Sequence, residues 1–350
     1  MLFSIPKLNK EIGKEARAYV DQLTKPVGSL GRLEKLAIEL AEMTGNKFPD
    51  VSPPGVLVFA ADHGVAKEGV SAFPQEVTAQ MVGNFVQGGA AINVFSRQIG
   101  AIFAIVDVGV AAAIEHEAVI SKKVRYGTNN FCEKEAMSSA EAEQALRVGY
   151  EQAQEIIGKG ARTLIVGEMG IGNTTTASAI LAAVSGKPIE QLVGRGTGIS
   201  EGKLAHKASV IRHALSLHQP DPSKPIELLS KIGGLEIAAM AGAMLAAAER
   251  RVPVLLDGFI CTVAALVAKL FAPAVADYMI AGHRSCEMGH QVALELLGKE
   301  PLIDLNMRLG EGSGAVVAFP LLTFATAMVK EMATFASAHI SHSVEGEGKQ

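Results

Sequence analysis

Two glycine-rich segments each hold one carboxylate where chemistry could be done. The first is Val166-Gly167-Glu168-Met169-Gly170-Ile171-Gly172-Asn173-Thr174-Thr175-Thr176, in which an apolar run passes through glycines into hydroxyl-bearing residues that open a helix. Glycine lets a backbone approach a ligand closely, and the N–H groups at a helix start favour negative charge. Gly170, Gly172, Asn173, Thr174 and Thr175 therefore form a candidate anion cradle. It is not a nucleoside-triphosphate loop, because the lysine of G-x-x-x-x-G-K-[ST] is missing and Glu168 would repel a polyphosphate. A phosphate monoester fits better, with an ordinary glycine-rich turn as the competing reading. The second segment, Arg308-Leu309-Gly310-Glu311-Gly312-Ser313-Gly314-Ala315, sets a carboxylate among three glycines at a helix entrance. Ser313 can cap that helix, which leaves Glu311 free for a chemical role.

A third loop, Gly194-Arg195-Gly196-Thr197-Gly198, carries a cation, and Lys207 lies on the helix that follows. Either could serve a phosphate, or be a surface turn and a solvated lysine. Four apolar runs, one of them leading into the first segment, position acids. The apolar runs Gly55 to Ala60, Ala101 to Val106, Arg162 to Val166 and Val252 to Leu256 are each followed closely by Asp62, Asp107, Glu168 and Asp257. In an open parallel sheet, ligands bind beyond the carboxyl ends of the strands, so four acids should crowd one rim. Capping of the helix after each strand is the alternative for any one of them. The acids could hydrogen-bond ribose hydroxyls or orient a cationic ring. They could also recruit a metal with His63 and His283, but no paired-histidine or Asp-rich calcium pattern is present, and no metal ligand is assigned.

The elements that must carry these groups read as strands buried on both faces, separated by helical patterns at 75 to 87, 139 to 158, 201 to 217, 235 to 250 and 258 to 270. Such alternation predicts an α/β fold, a parallel sheet with right-handed crossovers. Helices are also predicted at 9 to 24, 30 to 44, 287 to 297 and 313 to 333, before a polar tail from about Ser337 that is expected to be mobile. No repeat or linker divides the chain.

Composition excludes some classes. The chain has 350 residues, 49% hydrophobic, 36 of them glycine, and a net charge of −4, with no Trp and no basic run. A nucleic-acid reader would lack both its phosphate footprint and its stacking surface. Cys132, Cys261 and Cys286 fit neither a disulfide framework nor a zinc spacing, which points to a reducing compartment. The N-terminus turns polar within seven residues, unlike an export signal, and the most membrane-like stretch, Val252 to Gly282, is broken by Asp257, Lys269, Pro273 and Asp277. The expectation is a cytoplasmic protein with neither nucleic-acid nor membrane partners.

Six segments in order resemble the nicotinate-nucleotide–dimethylbenzimidazole phosphoribosyltransferase family. They are Lys25-Pro26-Val27-Gly28-Ser29-Leu30-Gly31-Arg32-Leu33-Glu34, Ala61-Asp62-His63-Gly64-Val65, Gly167 through Thr175, Lys231-Ile232-Gly233-Gly234, Leu255-Leu256-Asp257-Gly258-Phe259 and Met307 through Gly314. The resemblance spans roughly residues 20 to 330. It implies a Rossmann-like parallel sheet over about 51–309 and a small helical domain from 1–50 plus about 310–350. It also implies a homodimer without a cofactor.

The implied reaction transfers phosphoribose from nicotinate mononucleotide to 5,6-dimethylbenzimidazole, with inversion at C1′. By position, Glu311 matches the family's catalytic base, Glu168 its second carboxylate, and Lys207 a lysine near the nucleotide. Arg308, Leu309, Gly310 and Asp257 fall in the binding segments, while Phe73, Pro74 and Met81 match the wall of the base pocket. Some relatives are more polar at Phe73 and Met81. Apolar walls discriminate a missing methyl by only ~1 to 3 kcal/mol, so benzimidazole, adenine or a phenolic base is expected to be accepted too. Leu309 is expected to help desolvate Glu311 and raise its pKa. A metal-assisted phosphohydrolase and a non-enzymatic nucleotide or base carrier are the rival readings.

Overall fold

The structure is a computed structural model that describes residues 3–196, 198 and 200–341. Among them are six strands: β1 (Pro54–Ala61), β2 (Ile102–Gly109), β3 (Val119–Ser121), β4 (Thr163–Met169), β5 (Val254–Leu256) and β6 (Met279–Ala281). They form one sheet in the order β3-β2-β1-β4-β5-β6, parallel at every pairing. This is the doubly wound Rossmann order, whose direction of growth reverses between β1 and β4. All of β1 and β5 is buried, as their continuous apolar sequences require. The edge strands β3 and β6 were not expected, because three residues are too few for an apolar run to stand out.

Between the strands lie α3 (Glu76–Val86), α4 (Ala91–Gln98), α5 (Ser139–Gly158), α6 (Asn173–Ser185), α7 (Glu201–His218), α8 (Pro225–Ile232), α9 (Leu235–Glu249), α10 (Phe259–Phe271) and α11 (Met288–Leu297). Each long predicted helix has its counterpart; the short α4 and α8 were missed. Ser138 starts α5 with a capping box closed by Glu141. Alanine-rich α9 is buried at every residue from Leu235 to Ala248, which small side chains permit when helix backbones meet directly. A Cβ on Gly149 of α5 would lie 1.7 Å from the Ala239 carbonyl oxygen, and one on Gly242 of α9 would lie 1.9 Å from that of Leu146.

By contacts the chain divides into two compact units, one of residues up to Pro6 and Ser52–Phe319, the other of Lys7–Val51 with the chain from Pro320 onward. The first residues thus lie with the sheet, where Ser4 N donates to Glu249 Oε1 at 2.6 Å and Tyr278 Oη donates to the Pro6 carbonyl at 3.0 Å. The second division falls inside α12 (Ser313–Glu331), which leaves the Glu311 loop in the sheet unit. That helix is long and apolar enough to cross a membrane, but 61% of its most apolar window is buried inside the protein, as in a core helix.

In the other unit α1 (Lys10–Val20) packs on α2 (Arg32–Thr44) through Ala16, Ile38 and Ala41. The predicted first helix stops at Val20. Beyond it Leu23 bridges antiparallel to Thr334, with Thr24 N donating to the Ala333 carbonyl at 3.0 Å. Lys25 and Glu34 form a buried ion pair at 2.9 Å, and Glu34 also accepts from Leu30 N at 2.8 Å, which pins the exposed turn between them. Of the predicted mobile tail, residues up to 341 are placed and 342–350 lie outside the described residues.

The α5–α9 contact yields a stability test. Gly242→Ala should lower the free energy of unfolding by about 1 to 3 kcal/mol or more, since the methyl meets a backbone carbonyl that cannot rotate away. A urea midpoint equal to the parent's would show that the helices separate without cost.

Candidate active site

At the β1/β4 switch point two strand ends meet backbone to backbone. A Cβ on Gly170 would lie 2.2 Å from the Ala61 carbonyl oxygen, and Gly172, at φ 99°, packs over His63. Part of the cradle's glycine content is therefore demanded by the protein's own packing. Its N–H groups are also partly committed: Asn173 N donates to Gly170 O at 3.1 Å, Thr175 N to Gly172 O at 3.0 Å, and Ile171 N to Thr78 Oγ1 at 3.1 Å. What α6 presents instead is side chains. Asn173 Nδ2 donates to Glu168 Oε2, and Thr174 Oγ1 accepts from Lys207 Nζ at 2.9 Å.

Lys207 is not a solvated lysine. It is 1% exposed on α7, its Nζ also reaches the Gly194 carbonyl at 3.4 Å, and burial pushes its pKa down to about 8, against the opposing pull of Glu287. A Cβ on Gly196 would lie 2.6 Å from Thr174 Oγ1 and 3.3 Å from Lys207 Nζ, so this loop closes over the pair. Arg308 Nη1 donates to the Gly196 carbonyl at 3.2 Å and brings a second cation to it. Arg195 is exposed, and Thr197 of the same loop lies outside the described residues. Glu287 was missed by sequence reasoning. Its buried Oε2 sits where a Gly194 Cβ would be, at 1.9 Å, and only the glycine hints at it.

The two glutamates come together. Gly310, Glu311 and Gly312 have φ of 89°, 63° and 90°, which places a glutamate in the left-handed region at a cost of roughly 1 to 2 kcal/mol. The loop lies directly on β4, where a Cβ on Gly167 would be 2.0 Å from the Glu311 carbonyl oxygen. Glu311 N approaches Glu168 Oε1 at 3.4 Å. Burial raises the Glu168 pKa well above the carboxylate range, reinforced by the negative charges of Glu236 and Asp257, while donation from Asn173 and Glu311 N opposes it. Burial raises that of Glu311 as well, with Asp257 adding to it and the Ile92 N–H opposing it. Leu309 is not the cause, since it is 58% exposed; the Glu311 side chain is covered by the fold itself. Its Oε2 is buried with no hydrogen-bond partner among the described residues.

The other strand-end acids share the rim, with Asp107 and Glu168 facing successive residues of β1, but hold structure. Asp62 accepts from Ala111 N at 2.8 Å, and Asp107 from Val110 N at 2.9 Å while pairing with Lys123 at 2.8 Å. Asp257 accepts from Gly312 N at 3.1 Å, Gly314 N at 2.7 Å and Ala315 N at 3.1 Å. None caps the helix after its own strand, and Asp257 performs for α12 the capping expected of Ser313. Ser313 Oγ donates instead to the Gly310 carbonyl at 2.7 Å. His63 is hydrogen-bonded on both nitrogens, to Glu236 Oε1 at 2.7 Å and Thr176 Oγ1 at 2.8 Å. Among the described residues no three His, Cys, Asp or Glu side chains converge as a metal site. Phe73 and Pro74 are exposed and Met81 is half-buried; Thr78, one turn before Met81 on α3, ties that helix to the cradle.

A doubly wound sheet with a cation–hydroxyl cluster and two buried carboxyl groups of raised pKa at its switch point defines an α/β enzyme acting on a phosphorylated ligand. Residues 5–340 match the family model described as Phosphoribosyltransferase, and the chain belongs to that family; it is a phosphoribosyltransferase. It is 53% identical to a nicotinate-nucleotide–dimethylbenzimidazole phosphoribosyltransferase of Chloroflexus aggregans, over 97% of both chains. It is 50% identical to one of Halalkalibacterium halodurans, over 100% of this chain and 98% of that one. The crystal structure of CobT from Thermus thermophilus superposes with a TM-score of 0.92 at 46% identity, covering 95% of this chain and 100% of that one.

A raised carboxylate pKa has a sign. The folded chain binds the Glu168 proton more tightly than the unfolded chain, so this group's contribution to stability falls as pH rises from about 4.5 through the raised value. Glu168→Gln keeps the neutral shape. Its urea midpoint should drop less than the parent's as pH rises above about 4.5. Parallel declines in the two proteins would mean that Glu168 is ionised in the folded state.

Proposed function

We propose that the chain transfers the phosphoribosyl group of nicotinate mononucleotide to 5,6-dimethylbenzimidazole, giving α-ribazole 5′-phosphate and nicotinate. The relatives' names support the substrates. The observation that carries the mechanism is the buried, unpartnered Oε2 of Glu311 on a strained loop whose backbone meets Glu168 at the sheet's switch point. In nicotinate mononucleotide the departing ring nitrogen is already cationic, so the bond to C1′ breaks without a proton donor or a Lewis acid. The nucleophile is a neutral ring nitrogen. Its partner N–H grows acidic as the new bond forms, and Glu311 accepts that proton.

A base whose pKa is raised toward neutrality is better matched to this task. Attack opposite the leaving ring inverts C1′ from β to α. Thr174, Lys207 and Arg308 hold the 5′-phosphate, and binding energy spent there places C1′ between the two rings. Phe73, Pro74 and Met81 form the wall against the incoming base. The rival phosphohydrolase is disfavoured because Asp62, Asp107 and Asp257 are engaged by backbone N–H groups. A mere carrier leaves the strained Glu311 without a purpose. The assembly we propose is a cytoplasmic homodimer, on the family resemblance and on three free cysteines.

Two measurements test this reading. Glu311→Gln should lower turnover by a factor on the order of 10² to 10⁴, read by mass detection of the α-nucleotide, with the melting curve retained. Near-normal turnover would move the proton transfer elsewhere. Because the Lys207 ammonium titrates near 8, affinity for nicotinate mononucleotide should weaken as pH rises through about 8, and Lys207→Met should abolish that dependence. A Lys207→Met variant that binds nicotinate mononucleotide as tightly as the parent at about pH 7 would remove Lys207 from phosphate binding.

A further inference from the structure

Asp257 stands in a segment that the chemistry above does not use. We propose that Asp257, backed by His283, is a positioning residue that holds Glu311 in its working conformation and does not touch substrate. The proposal rests on the reading of Glu311 as the base. Both Asp257 oxygens are occupied from one side: Oδ2 by Gly312 N, Oδ1 by Gly314 N and Ala315 N. These three amides bracket the residues immediately after Glu311 and open α12, so a carboxylate there gains from the helix dipole as well. A glutamate at φ 63° between two glycines of positive φ has no local reason to stay there. The clamp on Gly312 removes the freedom to relax.

The other flank is closed by His283, which is 2% exposed with Nε2 3.5 Å from Asp257 Oδ1. A Cβ on Gly314 would lie 2.1 Å from the His283 Cδ2, so the ring fills the space beside the loop. His290, held by Ser285 N at 2.8 Å and by Thr262 Oγ1 at 3.0 Å, stands next to it with ring centroids 6.1 Å apart. The titratable groups that face the clamp are thus Glu168 from β4, Glu236 from α9, Cys261 from α10, His283 after β6, His290 from α11 and Glu311 itself. Asp257 is buried at 2% exposure with both oxygens turned to the loop, which suits a clamp.

The test compares Asp257→Asn with the parent. Asparagine keeps one acceptor and sets an N–H₂ against the backbone donors. The expected result is a kcat lower by 10-fold or more with the KM for nicotinate mononucleotide within about 3-fold. The acid limb of the kcat profile should move to lower pH, since a neighbouring negative charge is lost. Amide hydrogen exchange over residues 310–315 should quicken at least 10-fold, measured also in the Glu311→Gln background, where no chemistry is at stake. A raised KM with unchanged kcat would make Asp257 a substrate ligand and overturn the proposal, as would unchanged exchange in the loop. If Asp257→Asn does not fold, His283→Leu, which leaves the carboxylate in place, is expected to give the same kcat loss and faster loop exchange, with His283→Gln closer to the parent. Equal behaviour of Leu and parent at 283 would overturn the backing role. Should Glu311→Gln retain turnover while Asp257→Asn still loosens the loop, the general-base reading fails and the clamp stands.

Discussion

Direct contact between backbones at the sheet's switch point is the constraint on which the rest depends. Gly170 lies on the Ala61 carbonyl and Gly167 on the Glu311 carbonyl, so the end of β4 is pressed between the end of β1 and the loop before α12. No side chain larger than hydrogen fits at either place. The carboxylate carried by β4 at Glu168 is therefore set against the backbone of the loop that carries Glu311, although 143 residues separate the two in sequence. The raised proton affinities of Glu168 and Glu311 follow from burial and from the shared neighbour Asp257.

Such a site is costly to build, and its supports are electrostatic rather than apolar. Each buried acid near the rim has donors of its own. Asp62, Asp107 and Asp257 take backbone N–H groups, Asp107 also takes Lys123, and Glu236 takes His63. Buried carboxylates with such partners are tolerable; Glu311 differs in lying on a loop in the left-handed region, with its Oε2 buried and unpartnered among the described residues, like one oxygen each of Asp62, Glu236 and Glu287. Backbone strain falls at the same residue, as expected where a fold is held for function.

Much of this was legible in the residue pattern. Continuous apolar runs marked β1, β2, β4 and β5, because strands buried on both faces leave no polar alternation to confuse them. The acids behind those runs marked the rim. Their division of labour was not legible, since whether Asp107 meets Lys123 or a ligand depends on a residue 16 positions later and on the sheet between them. Ser313 looked like the cap of α12 by position alone, whereas Asp257 does the work from 55 residues away through a contact that only the fold creates. Lys207 sat in a helix whose pattern does not distinguish a solvated lysine from one swallowed by the loop at Gly194 to Gly196. The three-residue edge strands and the eight-residue helices α4 and α8 fell below the length at which periodicity is informative.

The two halves of the site are separated by a single step of α6. Asn173 turns to the carboxylate of Glu168, and the next residue, Thr174, turns to the ammonium of Lys207. Arg308 joins the cationic half through Gly196, and Glu311 joins the anionic half through Glu168. A ligand lying across the start of α6 therefore meets positive charge at one end and carboxylates at the other. Nicotinate mononucleotide has the complementary order, an anionic phosphate on C5′ and a cationic ring on C1′. The raised proton affinities of Glu168 and Glu311 make that end a place to accept a proton rather than a fixed negative charge. On the proposed reading, acceptance of the incoming base's proton acts only as the new bond forms and so lowers the barrier, whereas phosphate contacts act equally on ground and transition states.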